Sequence, residues 1–157
     1  MRYIGIALIF IGAYLLSRKN GERERERLAL LLGYCEFVRE MRSRVSVSLE
    51  PVARWIGHFR CEALERVGFL GRVRGGERLS DAFSASMGDI DKVSSDALNG
   101  LFSRTGATLG EEIERIDAAL RVLNERTDAE RIECEKRVRI FSVIALAASA
   151  GVGILVL

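Results

Sequence analysis

Hydrophobic positions follow three regimes along this 157-residue chain. The last 18 residues, Ile140 to Leu157, carry no charge, and Ser142 and Ser149 are their only polar side chains. Tyr3 to Leu16 form a second uncharged run at the other end. Between the two, apolar residues recur at spacings of three and four with no alternating stretch, which predicts helices with one buried face and no strands.

Leu28, Leu31, Leu32, Cys35, Val38, Met41 and Val45 form the first such stripe and predict a helix from about residue 22 to 46. Ser48 and Pro51, the only proline, mark a break and a restart, because proline suits a first helical turn and not an interior. Val52, Trp55, Ile56, Phe59 and Ala63 continue on one face, with Leu64 and Val67 near its end. Gly68, Gly71, Gly75 and Gly76 then interrupt the pattern around Arg72 and Arg74. No Gly-Lys-Ser/Thr follows and no strand precedes, so this segment is read as a flexible turn and not as a phosphate loop.

Leu79, Ala82, Phe83 and Met87 predict a short helix, and Val93, Ala97, Leu98, Leu101 and Phe102 another, closed by Gly106 and Gly110. A last helix starts near Leu109 and presents Ile113, Ile116, Leu120 and Leu123. Thr127, Glu130 and Cys134 take the same heptad positions beyond it, so residues 124–139 read as a polar stalk running into Ile140. The expected fold class is all-α, an antiparallel helical bundle between an N-terminal and a C-terminal membrane helix.

As a helix the C-terminal run spans about 27 Å, against roughly 30 Å of bilayer hydrocarbon. The N-terminal run covers only about 21 Å. Cleavage as a signal peptide lacks a small-x-small site before Ser17, Arg18 and Lys19, and an interfacial helix would need a polar face. A short span is the preferred reading. Arg18, Lys19, Arg23, Arg25 and Arg27 flank one run and Arg131, Lys136, Arg137 and Arg139 the other, which places both inner flanks in the cytoplasm. The expected organisation is a membrane segment at 1–17, a cytoplasmic helical domain at 18–139 and a membrane helix at 140–157.

Composition narrows the chemistry. Net charge is +2, and arginine supplies 21 of the 24 basic residues, scattered among acids without interleaved aromatics, so no nucleic-acid partner is expected. Cys35, Cys61 and Cys134 lack metal-ligand spacing and read as reduced thiols. His58 is the only histidine and has no nucleophile or second ligand nearby in sequence. No catalytic, cofactor or metal residues are expected, and the chain reads as a non-enzyme.

Two glycine-led segments carry a family resemblance. Gly75-Gly76-Glu77-Arg78-Leu79-Ser80-Asp81-Ala82-Phe83 resembles the Gly-x-x-Leu-Ser-x-Ala-Leu segment of the type II secretion F-type inner-membrane platform family. Thr105-Gly106-Ala107-Thr108-Leu109-Gly110, followed by Ile113, Ile116 and Leu120, resembles that family's Gly-x-x-x-Gly-x-Leu helix start. The platform proteins carry two copies of the helical domain and this chain only one. A short first membrane segment, one helical domain and a membrane segment at the end resemble the smaller family of stage III sporulation protein AB.

That resemblance implies a non-enzymatic component of the transenvelope complex between mother cell and forespore, in the mother-cell membrane around the forespore, with its domain facing the cytoplasm. Implied partners are the secretion-type ATPase called stage III sporulation protein AA, other membrane proteins of the complex, membrane lipid and, as one option, further copies of the chain. Gly76, Leu79, Ser80, Phe83, Gly106, Leu109 and Gly110 become candidate motif residues, with Arg72 and Arg74 as candidate docking charges on loops at 68–78 and 105–110. The alternative is a generic membrane-tethered helical adaptor or signalling regulator.

Overall fold

A computed structural model describes residues 2–48, 51–104, 106 and 108–156, with side chains described between 19 and 140 apart from residues 20, 48–50, 105, 107 and 138. The described residues form seven helices and no strand: α1 (Arg2–Ser48), α2 (Val52–Trp55), α3 (Glu62–Arg66), α4 (Phe69–Arg74), α5 (Leu79–Ser86), α6 (Lys92–Phe102) and α7 (Leu109–Val156). They divide into two compact units, one combining Met1–Glu26 with Ala129–Leu157 and the other running Arg27–Asp128.

The 27–128 unit is a helical bundle built on α1. Two adjacent stripes of α1 are buried, because the helix is covered on more than one side. Leu31, Cys35 and Val38 form one stripe, and the Cys35 Sγ lies 3.4 Å from Thr127 Oγ1 on α7. Leu30, Tyr34, Phe37 and Met41 form the other. Tyr34 meets Phe69 and Phe83 edge-on at 5.3 Å, and Phe37 packs on Trp55, Phe59, Phe69 and Phe102. This aromatic cluster ties α1 to α2, α4, α5 and α6, and edge-to-face pairs of this kind add about 0.5–1.5 kcal/mol each beyond their buried area.

Helix directions follow from paired contacts. Cys35 with Thr127, Arg39 with Asn124 at 2.6 Å and Arg42 with Asp117 step in opposite senses along α1 and α7, so the two run antiparallel. On α6, Asp91 lies 4.0 Å from Arg126 of α7, and the Leu101 carbonyl accepts from Arg115 at 2.9 Å, so α6 also runs antiparallel to α7. The short helices α3, α4 and α5 are stopped at glycines 68, 76 and 88, each with positive φ.

The fold departs from the sequence reading in five places. The helix expected from residue 22 begins at Arg2 and is unbroken, since residues 2–21 contain no proline and a glycine such as Gly21 costs a helix only about 1 kcal/mol. Leu32 is exposed, whereas Leu30, Tyr34 and Phe37 are buried, a consequence of the two-sided covering of α1. The run from Val52 to Val67 splits into α2 and α3 around a turn at Gly57, with Cys61 extended before α3. The expected flexible turn at 68–76 contains α4, whose Phe69, Leu70 and Val73 are all buried.

Residues assigned to the polar stalk also join the bundle: Thr127 is buried, and Asn124 accepts the Arg39 bond, so the 27–128 unit ends four residues beyond the start of that stretch.

In the other unit, Arg137 bridges Glu24 at 2.5 Å and Glu133 at 3.1 Å, which pairs the two terminal helical segments. Among the described residues no helix is long and apolar enough to cross a membrane. The runs at 3–16 and 140–157, expected to do so, lie outside the residues whose side chains are described, apart from Ile140.

Candidate interaction surface

The first glycine-led segment is a helix stop joined to a core-facing helix. The Gly76 amide donates to the Val73 carbonyl at 3.1 Å and the Glu77 amide to the Arg72 carbonyl at 3.1 Å, the two bonds that close a left-handed helix end. Gly76 sits at φ 88°, where a side chain carries a penalty of about 1–2 kcal/mol. Leu79 is half-buried against the core, Phe83 is fully buried, and Ser80 is half-buried with its hydroxyl on Asp81 at 3.2 Å. Three of the four motif positions here therefore hold the fold.

The two arginines in this segment differ. Arg72 is exposed and pairs with Glu77 at 3.2 Å across the helix stop. Arg74 donates to the carbonyls of Phe59 at 2.7 Å and Ile56 at 3.3 Å and pairs with Glu65 at 3.0 Å. It fastens α4 to the turn between α2 and α3, so it is a fold clamp before it is a docking charge.

The second segment is organised by Glu112. Its carboxylate accepts the Gly106 amide at 2.6 Å and Arg115 at 2.9 Å, and Arg115 donates to the carbonyls of Gly100, Leu101 and Arg104 at 2.6–3.1 Å. Arg115 thus closes the C-terminus of α6, whose last carbonyls have no helical partner. Thr108 Oγ1 accepts the Glu111 amide at 3.3 Å and caps α7. Leu109 and Gly110 are exposed on the first turn of α7.

Sequence reasoning did not single out Arg115 or the Arg42–Asp117 pair, whose carbonyl and carboxylate partners lie 11 or more residues away, and it passed over Glu112, although Arg115 and Gly106 are only three and six residues from it. The one local signal was Thr108-Leu109-Gly110-Glu111, a capping pattern before an apolar run. An open groove runs between α1 and α7, lined by Arg42, Glu114, Asp117, Leu120, Arg121 and Asn124 among others.

Perturbed titratable groups have structural causes. Arg42 holds the Asp117 carboxyl below the usual range through their hydrogen bonds, and Asp117 in turn raises Arg42. Burial pushes the Cys35 thiol up, against smaller opposing effects of Thr127 and Arg39. Burial also pushes Asp91 up, but hydrogen bonds from Ser94 and the Val93 amide, with Arg126 beside it, outweigh that and hold the carboxyl low. Among the described residues no cluster of metal-ligating side chains occurs. His58 is exposed and Trp55 is core.

No protein-family model, curated protein or solved structure matches the chain.

Proposed function

We propose that this chain is a non-enzymatic membrane platform component of a sporulation-type transenvelope complex, coupling a cytoplasmic secretion-type ATPase to assembly or transport between mother cell and forespore. One observation carries the reading: the unit made of Met1–Glu26 and Ala129–Leu157 brings the two chain ends together, and in the sequence those ends are the two uncharged runs flanked by arginine and lysine. A pair of antiparallel apolar helices with inner basic flanks is the arrangement that ties a bundle to one bilayer at both ends.

The resemblance to the platform family supplies the rest. Gly76, Leu79 and Phe83 occupy positions where the bundle uses a left-handed stop and two core contacts, which is consistent with that likeness. The helical bundle offers surfaces and ion pairs, which suits a role in holding partners and transmitting movement.

Two measurements test the reading. With Cys35, Cys61 and Cys134 replaced and the chain produced in the plasma membrane of non-sporulating cells, whose far side faces the medium, a cysteine at the exposed Ser84 should resist an impermeant thiol reagent, and one at the C-terminus should react. Labelling at Ser84 overturns the topology. Crosslinking with mass spectrometry on native membranes should then recover a secretion-type ATPase against the 68–110 segment. Recovery of a different cytoplasmic partner there, with no ATPase anywhere on the chain, overturns the platform role and favours the tethered-adaptor alternative.

A further inference from the structure

The 27–128 unit carries opposite charge on two sides of α1. Residues 51–78, which contain α2, α3 and α4, include six arginines and three glutamates. Residues 108–128, which hold the bundle portion of α7, include six carboxylates and three basic side chains. The excess is three charges in each flank, of opposite sign.

The two flanks lie on opposite sides of α1. A Cβ on Gly33 would stand 2.8 Å from Cys61 Sγ, immediately before α3, whereas Cys35 Sγ touches Thr127 of α7. Residues two apart on a helix point about 200° from one another, so α3 and α7 approach α1 from opposite directions.

Internal pairing leaves the excess charge at the surface. On the basic side Arg66, Arg72 and Arg74 are paired with Glu62, Glu77 and Glu65, and exposed Arg54 and Arg78 have no carboxylate within ion-pair distance among the described residues. On the acidic side Glu112 and Asp117 are paired, and exposed Glu114 and Glu125 have no basic partner among the described residues.

We infer that these flanks dock on each other between copies, the basic α2–α4 side of one chain meeting the acidic α7 side of the next. A foreign partner would need only one of the two flanks. Equal and opposite excesses on opposite sides of one bundle select a second copy of this chain. Like flanks repel, so a two-fold dimer through either one is disfavoured, and the contact is head-to-tail. Such contacts generate rows or rings. The inference goes beyond the platform reading and does not depend on it.

The test uses the full-length chain in detergent micelles, with its mass followed by analytical ultracentrifugation. Raising salt from about 0.1 M to about 1 M shortens the screening length from about 10 Å to about 3 Å, and association seen at the lower salt should be lost. R54E/R78E and E114K/E125K should each weaken self-association by about tenfold or more. Mixed together, the two variants present one chain with two net-acidic flanks and one with two net-basic flanks and should associate again, which a misfolded protein would not do. A wild type that is monomeric at low salt, association that survives high salt or either reversal, or a mixture that stays apart overturns the inference. Should a variant fail to fold, the wild-type salt response still decides it.

Discussion

Gly106 and Glu112 are packed so closely that a Cβ on Gly106 would stand 2.8 Å from the Glu112 amide nitrogen and 3.1 Å from its Cα. Those are backbone atoms of a helix and cannot swing aside. The same approach lets the Gly106 amide reach the Glu112 carboxylate that steadies Arg115.

Gly106→Ala should therefore destabilise the bundle by about 1–3 kcal/mol, the usual scale of overpacking. Gly110 belongs to the same sequence motif, yet nothing lies within 4 Å of a Cβ built there. Gly110→Ala should be neutral or stabilising by up to about 1 kcal/mol, the helix-propensity difference. Thermal unfolding of the two variants side by side checks the contrast. Equal shifts would mean that the close approach is not what makes Gly106 matter.

How much of this could be read in the sequence depended on distance along the chain. The positions of α5, α6 and the start of α7 follow from their own spacings, whereas Gly76, read as part of a flexible turn, stops α4 in the left-handed backbone that glycine enters without strain. Phe69, Leu70 and Val73 were hidden among four glycines, and only burial against Tyr34 and Phe37 makes that stretch a helix. Tyr34 and Phe37 fell outside the expected stripe because a helix covered on two sides shows no single period. Arg74 looked like a loop charge; its carbonyl partners at Ile56 and Phe59 lie well back along the chain, beyond any local pattern.

Arg74 and Arg72 make a sharp comparison. Arg74→Glu removes three bonds and places a carboxylate beside Glu65 and two carbonyl oxygens, so it should lower stability by about 1–3 kcal/mol. Arg72→Glu disturbs only an exposed pair with Glu77 and should cost under about 1 kcal/mol. Urea unfolding midpoints measure both. If the two substitutions cost the same, the carbonyl clamp contributes nothing beyond charge.

Asp91 caps α6 with bonds to the Val93 and Ser94 amides at 3.0 and 3.1 Å and to the Ser94 hydroxyl at 2.5 Å. Its folded pKa is depressed, so its ionic contribution is present above the ordinary aspartate value and is lost as pH falls through the folded one. Asp91→Asn keeps a capping oxygen but removes the charge, whereas Asp91→Ala removes the cap and should cost about 1 kcal/mol at neutral pH. The gap between wild type and Asp91→Asn should be constant above about pH 5 and close on acidification below about pH 4. A gap independent of acid pH would separate the cap from the charge.

Tyr34 gives the opposite limb of the pH profile. Its ring is fully buried against Phe69 and Phe83, and its hydroxyl has no hydrogen-bond partner in place. Burial pushes its pKa up to about 12, with the Ser86 hydroxyl pulling the other way, although the Ser86 proton is already engaged by the Ala82 carbonyl. A raised tyrosine pKa favours the neutral form in the folded state. Its contribution is therefore complete below the unfolded value of about 10 and disappears as pH climbs toward the folded one. Tyr34→Phe keeps both ring contacts and removes the unpartnered oxygen, so it should leave neutral stability equal or higher. Between about pH 10 and 12 the wild type should lose on the order of 2 kcal/mol relative to the variant. Tyr3 and Tyr14 are common to both proteins and cancel in the comparison. Unfolding midpoints that run parallel into alkali, or a neutral-pH loss on substitution, would show that the Tyr34 hydroxyl has a partner that holds it in the fold.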